Sequence, residues 1–193
     1  MKVGVLALQG SFAEHADALR VAGATPVLVK LPRHLEGIAG LIIPGGESTT
    51  IGKLLTNSGL LQPLRDAVNR GLPVYGTCAG MILLARDIGG LDQPLIGVMD
   101  ITVKRNAFGR QLDSFEEALS VPSLGVKPFR GVFIRAPLIE KTGDGVAVLA
   151  QLSDGRVVAA RQGKLLATAF HPELTTDSRV HAYFLEMIEG SAA

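Results

Sequence analysis

Short apolar runs alternate with helical segments over about the first 90 of the 193 residues in this chain. Four runs have the length and aliphatic content of buried strands: Val3–Leu8, Thr25–Val29, Leu41–Ile43 and Pro73–Tyr75. Apolar residues between these runs recur at helical spacing. Because strand, helix and strand in succession form a βαβ unit, the alternation predicts a parallel sheet with right-handed crossovers.

The helices between the strands have recognisable ends. The first is predicted to begin at Ser11 as N-cap, with Glu14 as its capping-box partner, and to close at Gly23. Three further helical segments are predicted at Thr49–Ser58, Leu60–Asn69 and Ala79–Asp87.

The second half of the chain has a different pattern. Its strand-like runs are closely spaced: Ile101–Lys104, Phe129–Ile134, Val146–Leu152, Arg156–Arg161 and Leu165–Phe170. Hairpin-type turns separate some of them, and a helix over Thr176–Glu189 is predicted at the end. We therefore expect one α/β domain over residues 1–193, with a doubly wound, mostly parallel, flavodoxin-like sheet and added antiparallel strands.

Composition narrows the possible function. The net charge of +1 and the absence of basic runs give no electrostatic reason to expect a nucleic acid partner. Apolar runs such as Met81–Ala85 are far too short to span a membrane, and the N-terminus does not resemble a signal peptide. A single cysteine excludes an internal disulfide and a multi-cysteine zinc site, so we expect a reducing, cytoplasmic setting.

That cysteine, Cys78, lies in the most informative segment of the chain. Gly76-Thr77-Cys78-Ala79-Gly80 stands between a predicted strand and a predicted helix, which is the arrangement of a nucleophile elbow. Such a tight turn needs small neighbours, and it places the sulfur at a helix N-terminus, where the thiolate is favoured. A lone cysteine is commonly just a buried structural residue. The two flanking glycines favour a nucleophile here.

A cysteine nucleophile needs a base, and one of the four histidines is well placed to act as one. His171 follows an apolar strand directly, and Glu173 stands two residues further on, where a carboxylate can orient the imidazole. Taken alone, this His-Pro-Glu segment fits a surface turn equally well. His15 and His181 fall inside predicted helices and His34 in a polar connection, so the sequence indicates ordinary roles for these three.

Donors for an oxyanion are also available. The backbone N–H of Ala79 follows the nucleophile, and the loop at 44–49, through Gly46, can supply a second donor. A phosphate-binding interpretation of this loop fails the P-loop pattern, because Glu47 and Leu54 stand where that pattern requires Gly and Ser or Thr. No GxGxxG follows the first strand either, so nucleotide binding has little support, and we expect no cofactor and no metal.

Several motifs together resemble a known family. They are Gly-Thr-Cys-Ala-Gly at 76–80, Pro-Gly-Gly-Glu-Ser-Thr at 44–49 and the late His-Pro-Glu at 171–173. This combination resembles the class I, triad-type glutamine amidotransferases. Further segments resemble the glutaminase subunits of pyridoxal 5′-phosphate synthases: Val5–Gly10, Arg105–Gln111, Asp113–Glu116 and Gly131–Pro137.

The resemblance implies an activity and a set of roles. Cys78 would attack the side-chain amide of L-glutamine, His171 would protonate the leaving ammonia, and Glu173 would orient His171. Ammonia would pass to a separate synthase subunit, in a hetero-oligomer, that makes pyridoxal 5′-phosphate. The implied substrate-binding residues are Gly46, Glu47, Ser48, Arg105, Ile134 and Arg135. The chemistry suits them, because an arginine fork matches the α-carboxylate of glutamine and Glu47 can bind its α-ammonium group.

Two alternatives remain open at this stage. An amidotransferase with the same chemistry could deliver ammonia to another acceptor, such as the imidazole-glycerol-phosphate pathway. A redox-sensing protein on the same kind of fold could use an elbow cysteine with no amidase role, although it would not need the His-Pro-Glu segment or the paired arginines.

Overall fold

A computed structural model describes residues 1–105, 107 and 114–190 of the chain. The strands are β1 (Lys2–Leu6), β2 (Thr25–Val29), β3 (Gly40–Ile43), β4 (Val74–Thr77), β5 (Ala85–Asp87), β6 (Met99–Lys104), β7 (Ser114–Leu119), β8 (Phe129–Ile134), β9 (Leu138–Thr142), β10 (Val146–Gln151), β11 (Val157–Gln162) and β12 (Leu165–Thr168). The α-helices are α1 (Phe12–Val21), α2 (Ser48–Asn57), α3 (Leu61–Asn69), α4 (Ala79–Leu84) and α5 (Arg179–Glu189). Short 3-10 helices lie at Pro32–Leu35, Pro122–Leu124 and Pro172–Leu174.

One half of the main sheet is parallel. Its strands lie in the order β2-β1-β3-β4-β12, and each neighbouring pair runs in the same direction. Every residue of β3, β4 and β12 is buried, as expected for parallel strands covered on both faces. This arrangement brings the carboxyl ends of β3, β4 and β12 together at one edge, where doubly wound sheets place their sites.

The other half of the sheet is largely antiparallel. The order continues from β12 through β11, β9 and β6 to β5, and β10 pairs with β11 on a branch. Separately, β7 and β8 form a two-stranded antiparallel sheet. The predicted fold class, a doubly wound α/β sheet with antiparallel strands added in the second half, is confirmed.

Some local features differ from the sequence predictions. The helix predicted over Ala79–Asp87 ends at Leu84, where the chain enters β5. The apolar run continues through Ala85 and therefore does not show where the helix stops. Strands β7 and β9 were not predicted. The capping box at Ser11 is wrong, since the Ser11 hydroxyl makes no capping hydrogen bond and donates instead to Glu173, at 2.7 Å.

The hydrophobic core is continuous beneath both halves of the sheet and includes side chains from α1 to α5. Among the described residues, none of the helices is both long and apolar enough to cross a bilayer.

Candidate active site

Cys78 occupies a sharp turn between β4 and α4. Its backbone has φ 49° and ψ −103°, a conformation that a non-glycine residue adopts only under strain. Its N–H donates to the carbonyl oxygen of Thr168 at 2.8 Å, which fixes the turn against the end of β12. The side chain is nearly buried, and Sγ lies 4.0 Å from the carbonyl oxygen of Ile134. This geometry is that of a nucleophile elbow.

The glycines on either side of Cys78 are there because backbone passes close to them. A Cβ on Gly80 would lie 2.1 Å from the carbonyl oxygen of Ile43, and a Cβ on Gly76 would lie 2.5 Å from the carbonyl carbon of Gly80. Both distances are far below a real contact. The elbow therefore requires glycine at both positions, for the steric reason that the sequence pattern predicts.

The structure brings His171 and Glu173 together directly after β12. Nδ1 of His171 lies 2.8 Å from Oε1 of Glu173, and the His171 backbone N–H donates to the carbonyl oxygen of Val132 at 2.8 Å. Oε1 also accepts the hydrogen bond from the Ser11 hydroxyl. The Glu173 side chain has no exposed surface, so a buried carboxylate fixes the imidazole from behind.

His171 and Glu173 each stabilise the charged form of the other. Burial by itself would lower the pKa of His171, but hydrogen bonds and charge from Cys78 and Glu173 outweigh burial and raise this pKa to about 10. Burial would raise the pKa of Glu173, but His15, His171 and Ser11 outweigh it and lower this pKa to about 2. Both shifts favour the charged forms, an imidazolium on His171 beside a carboxylate on Glu173.

The loop after β3 lies against the imidazole. A Cβ on Gly45 would be 2.4 Å from Cε1 of His171 and 3.4 Å from Cβ of Cys78, so the backbone of this loop passes across both side chains. The carbonyl oxygen of Gly45 accepts a hydrogen bond from the Ser11 N–H at 3.1 Å. This bond fixes the orientation of the peptide group that joins Gly45 to Gly46.

Cys78 and His171 open onto a cleft of about 400 Å³, a volume suited to a small molecule. All of the residues predicted to bind substrate or to stabilise an oxyanion line this cleft: Gly46, Glu47, Ser48, Ala79, Arg105, Ile134 and Arg135. Glu173 does not reach the cleft and stands behind His171. The structure thus assembles, from distant parts of the chain, the groups that the sequence singles out.

Glu47 and Arg105 lie next to each other in the wall of this cleft. Glu47 is the N-cap of α2 and accepts hydrogen bonds from the N–H groups of Thr49 and Thr50. Burial would raise the pKa of Glu47, but these bonds and the Thr50 hydroxyl together outweigh burial and lower the pKa to about 2. Nη2 of Arg105 lies 3.3 Å from Oε1 of Glu47, so a cation and an anion stand side by side.

Ile134 and Arg135 border the cleft from the end of β8. Arg135 has φ 41°. Among the described non-glycine residues, Cys78 and Arg135 are the two with a positive φ. Strained backbone at two places on one cleft is typical of functional sites. The segment that continues from Arg105, cited for the family resemblance, lies largely outside the described residues: Asn106, residues 108–111 and Asp113.

Sequence reasoning missed four residues that support the site. Oε1 of Gln9 accepts the Glu47 N–H at 2.9 Å. Oε1 of Gln93 accepts from Arg105 at 2.8 Å and lies within hydrogen-bond distance of the Ser48 hydroxyl. Ser11 and His15 both face Glu173. Their partners are distant in the chain, so no local pattern could have revealed them.

Within the part of the chain that the structure describes, no group of three or more His, Cys, Asp or Glu side chains is arranged to hold a metal ion.

A doubly wound sheet whose elbow cysteine faces a histidine–carboxylate pair is typical of a thiol-dependent hydrolase or acyl-transfer enzyme. The model of the SNO glutamine amidotransferase family matches residues 5–190. The chain belongs to this family, and it is an enzyme of the glutamine amidotransferase class.

Individual relatives are similar over nearly their full length. Pyridoxal 5′-phosphate synthase subunit PdxT of Pelotomaculum thermopropionicum is 61% identical over 186 residues, covering 96% of this chain and 94% of the relative. The protein of the same name in Moorella thermoacetica is 60% identical over 188 residues, covering 97% and 100%. A solved structure described as a glutamine amidotransferase has a TM-score of 0.92 and 54% identity, covering 97% of this chain and 98% of its own.

Proposed function

We propose that this protein is a glutaminase that hydrolyses L-glutamine to L-glutamate and ammonia through a thioester on Cys78. The observation that carries the proposal is the elbow cysteine and the His171–Glu173 pair at the wall of one amino-acid-sized cleft. The sulfur attacks the side-chain amide carbon of glutamine, and a tetrahedral intermediate forms. His171 gives its proton to the leaving nitrogen, and ammonia departs. Water then attacks the thioester, His171 takes a proton from it, and glutamate is released.

Two backbone N–H groups would stabilise the oxyanion in this scheme. Ala79 presents its N–H at the start of α4, where the helix dipole favours negative charge. Gly46 lies in the loop that packs over His171 and supplies the second donor. The Gly45 carbonyl is held by Ser11, so its peptide has a defined orientation.

The substrate α-amino acid group would lie between Glu47 and Arg105. Glu47 binds the α-ammonium and Arg105 the α-carboxylate, which replaces the ion pair that they make with each other. Ser48, Ile134 and Arg135 complete the wall of the cleft.

We infer further that the ammonia goes to a synthase subunit that makes pyridoxal 5′-phosphate. The support is the name shared by the relatives at about 60% identity, each a subunit of pyridoxal 5′-phosphate synthase. The protein would then be one partner of a hetero-oligomer, acting in the cytoplasm, with residues 1–193 forming one amidotransferase domain.

Covalent capture tests the proposed function. The protein, alone and mixed with the synthase subunit, is treated with an electrophilic analogue of glutamine and the adduct is located by mass spectrometry. We expect modification at Cys78 that glutamine blocks, together with glutamate release from unlabelled enzyme. Oxidation of Cys78 by peroxide without glutamate release in either mixture would instead support the redox-sensing alternative. Glutamate release that the synthase subunit does not stimulate, with no transfer of ammonia to that subunit, would support a different ammonia acceptor.

The change Glu173→Gln should lower kcat for glutamine hydrolysis by about 10²-fold and leave KM nearly unchanged. The amide oxygen can still accept from His171 and Ser11, but the negative charge is lost, and the pKa of His171 falls from about 10 toward its ordinary value. Steady-state kinetics of the complex measures both constants. Glu116→Gln, on an exposed carboxylate of β7, is the matched control. Unchanged kcat in Glu173→Gln would contradict the orienting role.

The change Arg105→Lys should raise KM for glutamine about tenfold and change kcat little, because an ammonium cannot make the forked contact with a carboxylate. Arg130→Lys removes a forked contact of the same kind on an exposed surface, with Glu116, and should leave KM unchanged. A KM for Arg105→Lys within twofold of the original would place the substrate carboxylate elsewhere.

A further inference from the structure

Glu173 is approached from a second side by residues for which the reaction scheme above gives no role. Its Oε1 is occupied by His171 and Ser11, whereas Oε2 is buried and has no hydrogen-bond partner among the described residues. A buried carboxylate oxygen without a partner is costly unless a favourable dipole or charge lies near it.

His15, in α1, supplies that compensation. Its Nε2 lies 3.4 Å from Oε2 of Glu173 and 3.1 Å from the hydroxyl oxygen of Thr77, and the ring is fully buried. The hydrogen bond of Nε2 goes to Thr77, so the contact with Glu173 is electrostatic. No other described ion-pair contact reaches Oε2. Burial lowers the pKa of His15 and therefore favours the neutral ring, which presents a dipole to the carboxylate.

The next neighbour fixes the direction of that dipole. Nδ1 of His15 lies 3.0 Å from Nε2 of His181, and Nδ1 of His181 is buried with no partner in the described part of the chain. A carboxylate only accepts, so the favoured tautomer of His15 carries its proton on Nε2 and accepts at Nδ1. His181 then donates from Nε2, and its unpartnered Nδ1 is a lone pair instead of an unpaired N–H. One tautomer assignment thus suits all three groups.

The surroundings hold the two rings in place. Tyr75 packs edge-on against both His15 and His181, and its hydroxyl lies 2.9 Å from Oγ1 of Thr168 in β12. Strand β12 leads directly to His171. The same packed layer therefore supports both sides of Glu173.

We propose that His15 is a positioning residue for the reaction: its Nε2–H faces Oε2 of Glu173 and holds the carboxylate so that Oε1 stays aimed at Nδ1 of His171. His181 supports His15 in the tautomer that this requires. The inference rests on the proposed glutaminase function, because it assigns a role within that reaction.

Two amide variants of similar size and polarity test the proposal. In His15→Gln the side-chain amide reaches about as far as Nε2, so an N–H dipole can still lie beside Oε2 of Glu173. In His15→Asn the amide reaches only as far as Nδ1, so no N–H dipole lies beside Oε2. We expect kcat for glutamine hydrolysis by the complex with the synthase subunit to fall on the order of tenfold in His15→Asn, with KM within twofold. His15→Gln should recover most of that loss.

Controls separate this role from folding and from the proposed function itself. His34→Asn makes the same exchange at a histidine outside the cleft, in the 3-10 helix Pro32–Leu35, and its kcat should stay within twofold of the original. Thermal unfolding of each variant checks that the fold is kept. Folded Gln and Asn variants with equal kcat, whether both high or both low, would overturn the positioning role. Absence of glutamine hydrolysis in the unaltered complex would instead overturn the proposed function.

Discussion

Replacement of Cys78 by alanine is expected to lower glutamine hydrolysis by about 10⁴-fold or more, because the thioester cannot form. The fold should persist. Alanine keeps the Cβ and therefore meets the same backbone strain at φ 49°. The thiol that it removes makes a long contact, 4.0 Å, with the Ile134 carbonyl oxygen and interacts with His171 at the surface of the cleft. Glutamate release is measured with the synthase subunit present, and thermal unfolding is followed in parallel.

The control for the Cys78→Ala variant is its binding to the synthase subunit. Cys78→Ala should copurify with the synthase subunit as well as the unaltered chain does, since the sulfur lies almost buried in the cleft. Hydrolysis within tenfold of the original rate would show that another residue is the nucleophile. Loss of copurification together with a lowered unfolding temperature would mean that the elbow had collapsed. Cys78→Ser would then separate loss of the nucleophile from loss of the fold, because serine replaces the thiol by a hydroxyl and fills nearly the same volume.

The parts of the site that could be predicted from the sequence are local in the chain. The glycines at −2 and +2 of Cys78 touch backbone of the same turn or of the adjacent strand, so their spacing alone indicated an elbow. His171 and Glu173 are two residues apart, and their hydrogen bond closes within one short turn. Local chemistry of this kind leaves a pattern that a single sequence can show.

The parts that could not be predicted depend on distant contacts. Ser11 looked like a helix cap because its neighbours have capping spacing, yet its hydroxyl binds Glu173, 162 residues away. His15 looked like an ordinary helix residue, and its role depends on Thr77, Glu173 and His181 from three other elements. Sequence spacing carries no information about such partners until the fold is known.

The strands that were missed have a weak hydrophobic signal. In β7 the first five side chains alternate between exposed and half-buried and Leu119 is buried, and the strand pairs with β8 in the two-stranded sheet. In β9 the last three residues are exposed, although the strand lies inside the main sheet between β11 and β6. Strands with so few buried apolar positions leave a weak pattern in the sequence, and composition therefore identifies them poorly.

Replacement of Gly80 by alanine is expected to destabilise the protein by about 3 kcal/mol or more. Intrinsic propensity predicts the opposite sign, because alanine is favoured over glycine in a helix by about 1 kcal/mol. The steric effect is larger here, since the new Cβ would lie 2.1 Å from the Ile43 carbonyl oxygen, which belongs to a fully buried central strand. Helix α4 cannot move away without displacing Cys78.

Thermal unfolding shows whether the steric effect or the helix propensity is larger. A loss of about 3 kcal/mol in the free energy of unfolding corresponds to a fall of roughly 6–12 °C in Tm for a chain of this size. Gly190→Ala is the matched control: that glycine ends α5 at φ 77° with open space around it, so alanine there costs only the backbone strain, about 1 kcal/mol. We expect Gly80→Ala to unfold at a clearly lower temperature than Gly190→Ala. An equal or higher Tm for Gly80→Ala would show that the approach of α4 to β3 is not what requires glycine at the elbow.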